Sequence, residues 1–187
     1  ADRRVYAGTL SAWASSQGRV VIDAILYVLS AGCAWTLLPQ EFPPVSTVQG
    51  YFYRWRDDGT WERINHALLI AAREAMGREA SPSAGVIDNQ SVKTTEAGRL
   101  RGYDAGKKIK GRKRHLLTDT NGFLVNAVVH PADVQDRDGA PEVLTGVRSL
   151  YPWLRHGVAV GALAGYKLTN ALAGHVVWRL EIIKGCD

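Results

Sequence analysis

Between Arg78 and Gly85 the hydrophobic pattern changes period, and this change constrains the fold more than any other feature. Before it, apolar residues recur three or four positions apart, the spacing that lines one face of a helix. After it they alternate or run in short blocks, as strands require. The stretch itself, "REASPSAG", is polar and broken by Pro82, so it reads as a boundary. The sequence therefore predicts an α+β chain, with a small all-helical region over residues 1–80 and a mixed sheet over 85–187.

In the first region, "VVIDAILYVLS" from Val20 to Ser30 has helical spacing, with Gly32 as its C-cap. After the turn "PQEFPP", Ser46 and Thr47 are the predicted caps of a second helix, "TVQGYFYRWRDD". Asp57, Asp58 and Gly59 break it, and Thr60 is the predicted cap of a third, "WERINHALLIAAREAMG". Three short helices with tight turns suit a helix-turn-helix-like module that binds DNA, and equally a plain helical subdomain.

In the second region "GVIDNQSV" is strand-like. "GRKRHLLTDT" and "FLVNAVVHP" flank Asn121-Gly122, a strong hairpin signal. "DRDGAPEVLTGVRSL" reads as helix, "HGVAVGAL" as strand, "YKLTNALAGH" as helix and "VVWRLEIIKG" as strand. Three antiparallel strands come first in this order, which is the order of ribonuclease H-like nucleases.

Asp88 ends the apolar run of Val86 and Ile87. Burying a carboxylate there is costly unless a charge faces it. Two-metal phosphoryl transfer needs several carboxylates, because the metals hold both the attacking and the leaving oxygens. The candidates for partners are Asp119, Asp133, Asp136, Asp138 and Glu181. Asp119 reads better as a turn residue, and Asp136 or Asp138 suit the first turn of the following helix. His115 and His130 lack metal-ligand spacing and read as structural. The aromatics of "YFYRWRDDGTWE" either stack on bases or fill a core.

Lys107, Lys108, Lys110, Arg112, Lys113 and Arg114 fall within eight positions, with glycines at 102, 106 and 111 read as keeping the segment mobile. Such a run suits phosphate contacts with DNA, against the alternative of a solvated loop. The net charge of +5 also favours a polyanionic partner. No run of 18 apolar residues predicts a membrane span, and "ADRRVYAGTL" lacks a signal peptide's apolar core. Cys33 and Cys186 read as reduced thiols, so the expected compartment is the cytoplasm.

Several stretches together resemble the bacterial insertion-sequence transposases of the group named after insertion sequence five. "AILYVLSAGCAWTLLPQEFPPVSTVQGYFYRWRDDGTWERI" is similar to that family's N-terminal helical region. "VIDNQSVKTTEAG", "GYDAGKKIKGRKRHLLTDTNGFL" and "VVHPADVQDRDGA" are similar to its catalytic core. The likeness runs from about Arg19 onward, and the first ~18 residues depart from it. It implies a ribonuclease H-like fold and DDE chemistry, in which three acids hold two Mg²⁺ or Mn²⁺ ions while water or a DNA 3′-hydroxyl attacks a phosphodiester. It implies duplex DNA as partner, at terminal inverted repeats and at a target, with multimers working on paired ends in the bacterial nucleoid.

By this resemblance Asp88 matches the first acid and is a metal ligand. The second acid stands in a motif of the form A-D-G-G/A-Y-A-G. Here the matching stretch is "AVGALAGYKL", with Val160 at the aspartate position and Leu163 at the tyrosine position. The third, a glutamate, lies on a helix past the last strand, and this sequence stops at Asp187 before it. The implied reading is a truncated copy defective in cutting and joining DNA. The alternative is a non-catalytic DNA binder that occupies transposon ends and inhibits an intact transposase.

Overall fold

The computed structural model describes residues 16–94, 101–145, 147–160, 170 and 179–183. By packing the chain divides into two compact units, residues 1–67 and 68–187.

The first unit holds α1 (Ser16–Ala31), a 3-10 turn (Trp35–Leu37), α2 (Val45–Asp57) and the first half of α3 (Thr60–Ala75). Val21, Ala24, Ile25 and Val28 of α1 are buried with Leu38 and Val48, and the half-buried Phe42, Phe52, Trp55 and Trp61 pack around them. Phe52, Trp55 and Trp61 are therefore core residues, whereas Tyr51 and Tyr53 of the same stretch are exposed. Helix α1 ends before Gly32, whose φ of 61° is the left-handed stop expected there.

The expected caps differ. Helix α2 starts at Val45, so Ser46 and Thr47 lie inside its first turn, and Pro44 is the N-cap with no side-chain cap bond. The Pro44 carbonyl accepts the N–H groups of Thr47 and Val48, and the fixed proline ring sets the entry without a hydroxyl. Thr60 opens α3, but the capping acceptor is Asp58, whose Oδ1 takes the Thr60 N–H at 2.9 Å.

The second unit is built on a six-stranded mixed sheet: β1 (Ala84–Lys93), β2 (Gly102–Asp104), β3 (Ile109–Asp119), β4 (Leu124–Pro131), β5 (His156–Val160) and β6 (Arg179–Ile183). β1, β3 and β4 form the antiparallel part, and β5 and β6 continue parallel to β1. β2 and β4 lie end to end along the outer edge of β3. This arrangement is ribonuclease H-like. Helices α4 (Asp136–Val143) and α5 (Val147–Leu150) cover one face, over Ile87, Leu117 and Ala159.

Leu69, in the second half of α3, belongs to the same core, which places the packing boundary inside α3 and ahead of the polar stretch 78–85. Asn121-Gly122 does form the β3–β4 hairpin, in a four-residue turn in which Gly122 has φ 85°. Most of "YKLTNALAGH" and the ends of "VVWRLEIIKG" lie outside the described residues.

β2 was not legible as a strand, and the mobility assigned to its glycines is replaced by close packing. Gly102 and Gly111 pair across β2 and β3. A Cβ on Gly111 would stand 2.0 Å from the Val92 carbonyl oxygen of β1, and one on Gly102 would run into Asp133, so neither position has room for a side chain.

Candidate nucleic-acid interface

Strand alternation sorts the basic run. In β3, Gly111, Lys113, His115, Leu117 and Asp119 are buried, while Lys110 and Arg114 are exposed and Arg112 half-buried. Lys110, Arg112 and Arg114 thus share the face turned away from α4. On β1 the same face carries Asp88, Gln90 and Val92, opposite Leu116, Arg114 and Arg112 respectively. Arg114 Nη2 donates to Gln90 Oε1 at 2.8 Å, a contact the sequence reading missed. Lys107 and Lys108 sit in the β2–β3 turn, and Lys107 Nζ donates to Asn89 Oδ1 at 2.8 Å.

Asp88 follows the fully buried Ile87 and is itself exposed, so the burial cost does not arise. Its Oδ1 accepts the Asn89 N–H at 2.7 Å, and it makes no ion pair with a described residue. Ile87 pairs with Ala159 of β5, so Asp88 and Val160, each one residue further, stand at neighbouring positions of adjacent parallel strands.

Lys113 stands apart from the other cations of the run. It is 4% exposed, on the face under α4. Its ammonium lies 2.7 Å from Asp136 Oδ1 and 3.4 Å from Asp104 Oδ2, and donates to the Val134 carbonyl at 2.8 Å. Asp136 is therefore the partner of a buried lysine. Asp119 caps its turn, accepting the N–H groups of Asn121 and Phe123, and pairs with Arg73 of α3. Asp133 and Asp138 are exposed. His115, fully buried, lies against Gly139, where a Cβ would come within 2.3 Å of the ring, and its Nε2 is 3.2 Å from the Asp136 carbonyl oxygen.

The Ser91 hydroxyl and the Lys107 N–H, with Lys113 beyond them, hold Asp104 down to about 2. A carboxyl depressed when folded adds stability above its unfolded value of about 4, and that stability is lost as pH falls through the folded value. Urea titrations from pH 5 to about pH 2 are thus expected to show a steeper stability loss in the native chain than in Asp104→Asn. Parallel curves would remove this group from the acid response.

Residues 79–182 match the family model described as "Transposase DDE domain", more than half of the chain. The chain belongs to this transposase family. Residues 9–65 match a second model, described as "Putative transposase of IS4/5 family". The chain is 31% identical over 86 residues to the "Insertion element IS402 uncharacterized 16.2 kDa protein" of Burkholderia cepacia, a stretch covering 45% of this chain and 57% of that protein. The chain thus spans little more than half of that relative's length. No solved structure matches it significantly.

DDE transposase domains use a divalent metal, and a hard cation needs several oxygen donors. At the level of Asp88, β1 supplies one carboxylate and the next strand supplies Val160, which has no side-chain oxygen. Glu181 of β6 pairs with Val158, itself opposite Val86, which puts its backbone ~12 Å from that of Asp88 by ordinary strand spacings. Among the described residues no three His, Cys, Asp or Glu side chains gather as a metal site. The described residues alone do not supply the donors for a pair of such ions. Among the described residues no helix is long and apolar enough to cross a membrane.

Proposed function

We propose that this chain serves DNA transposition as a protein that binds duplex DNA at insertion-sequence ends and target, and that its own strand-cutting centre is broken. One observation carries the reading: Asp88, the residue that answers to the family's first acid, shares an exposed sheet face with Lys110, Arg112 and Arg114. Cations running along the strand from that acid would hold a phosphate backbone across this face without reading base sequence. Lys107 and Lys108 extend the basic edge at the turn. Val160 beside Asp88 supports the loss of cutting, since one carboxylate cannot hold two hard cations. The same valine favours a second reading, in which the chain occupies transposon ends and inhibits an intact transposase. Further copies of the chain are the expected partners on paired ends.

The test is binding and nicking of end-containing and mixed-sequence duplexes by the full chain, across salt, with Mg²⁺ or Mn²⁺. Salt-sensitive binding without metal-dependent nicking is expected. Nicking that disappears in Asp88→Ala would overturn the broken centre, and salt-independent association would overturn DNA as the partner. Lys110→Ala with Arg114→Ala is expected to weaken binding about equally for all sequences and to lower the salt slope by about two. An unchanged slope removes this face from the interface.

A further inference from the structure

We infer that the outward face of α2, carrying Thr47, Gly50, Tyr51 and Arg54, is the surface of the helical unit that enters a groove of duplex DNA. The inference rests on DNA being the partner and names which helix reads it.

The sequence fixes two sides of α2. Val48, Phe52 and Trp55, at four- and three-residue steps, turn inward and join the core of the first unit. Thr47, Gly50, Tyr51 and Arg54 recur at three- and four-residue steps on the outer side, and all four are exposed. The inner aromatics hold the helix: Phe52 and Trp55 both pack on Trp61, whose indole N–H donates to the Phe52 carbonyl. The outer face is therefore presented on a rigid support.

Nothing among the described residues of this unit calls for Gly50. A glycine inside a helix is destabilising relative to alanine, and here a Cβ would meet no atom within 4 Å. Its φ is not left-handed, so the backbone does not demand it either. What a bare position on an exposed helix provides is close approach of another molecule to the backbone.

The side chains around it fit that molecule to a nucleic-acid groove. The Arg54 guanidinium lies 5.6 Å from the Tyr51 ring centre, stacked rather than free to wander, and forms no ion pair among the described residues. A planar guanidinium can make two parallel bonds to a guanine edge or grip a phosphate. Thr47 adds a hydroxyl suited to base edges, or to the methyl of thymine. Arg56, by contrast, is committed to Asp57 at 2.7 Å.

In a helix-turn-helix pair the second helix normally enters the groove. That place belongs to α3, yet α3 exposes Glu62, Leu68 and Glu74, and the guanidinium of its half-exposed Arg63 is engaged by the Asp58 carbonyl and the Thr60 hydroxyl. Two carboxylates and a leucine are poorly matched to phosphate and base edges. The chemistry of the exposed faces selects α2.

The experiment compares the full chain with Gly50→Gln and Arg54→Ala, by fluorescence polarisation on labelled mixed-sequence duplex DNA and by thermal unfolding, with structured RNA as competitor. Gly50→Gln is expected to melt higher yet bind about ten-fold or more weakly, opposite signs that a structural role would not produce. Arg54→Ala is expected to keep the melting temperature and lose affinity about ten-fold. If the native chain binds duplex and both variants bind equally well, the inference falls while the proposed function stands. If the native chain binds no duplex, the proposed function fails and the inference with it. Preferential displacement by RNA would overturn duplex DNA as the occupant.

Discussion

Arg73→Met is expected to destabilise the sheet-bearing unit by about 3–5 kcal/mol, the usual consequence of stranding a buried charge. Asp119 has a fully buried side chain, and Arg73 Nη1 donates to its Oδ2 from the second half of α3. Burial alone would raise the Asp119 pKa, but the Phe123 N–H, the Arg73 guanidinium and the Asn121 donors outweigh it and hold the carboxyl low. Arg73 also donates through Nε to the Glu79 carbonyl at 2.8 Å, so one side chain ties α3 to the hairpin and to the approach to β1. Removing it leaves a carboxylate with turn N–H groups but no cation. Asp119→Asn keeps an acceptor for the turn and removes the charge, so in the Arg73→Met background it should cost much less than alone. The double-mutant cycle in urea is expected to give a coupling of about 1–3 kcal/mol. Strict additivity would mean that the pair contributes nothing beyond its separate hydrogen bonds.

The elements legible in the sequence are those whose signal is local. Asn121-Gly122 between two apolar runs marks the hairpin, Gly32 marks the end of α1, and the spacing of Val21, Ala24, Ile25 and Val28 marks the buried face of that helix. What escaped depends on partners distant along the chain. β2 has three residues, and it is a strand through its pairing with Ile109, Lys110 and Gly111 of β3. The onset of α2 moved because Pro44 supplies the entry that Ser46 and Thr47 were expected to supply.

The basic run shows the same limit at the candidate site. Read as a mobile loop it offers six interchangeable cations. Folded as a turn and then a strand, it offers two at a turn and three on one face, and it buries the sixth. The signal for this was present, since Gly111 to Thr120 reads as strand and a strand alternates. Asp88 was found because an acid after Val86 and Ile87 breaks the pattern. Its relation to Val160 became visible only when β5 was placed parallel to β1.

Lys113→Met separates the two roles that the sequence allowed for the run. The native ammonium lies between Asp136 and Asp104 and is almost out of solvent. Replacing it removes the cation and leaves two carboxylates facing the same space, at a cost of about 3–5 kcal/mol near neutral pH. Two carboxylates sharing a site raise each other's pKa, so acidification protonates one of them and relieves the repulsion. The deficit relative to the native chain should therefore shrink as pH falls from about 7 towards 4. Asp136→Asn in the same background should recover part of the loss at neutral pH. A deficit independent of pH would mean that lost packing, not charge, dominates. DNA binding supplies the complementary readout. Corrected for the folded fraction, Lys113→Met should keep the native salt slope, because a lysine spent on Asp136, Asp104 and the Val134 carbonyl releases no counterion from DNA. Arg114→Ala, at an exposed residue that among the described residues bonds to Gln90, should behave oppositely, with stability held and the slope reduced by about one. A slope reduced by about one in Lys113→Met would return that lysine to the phosphate contacts and require the segment under α4 to open when DNA binds.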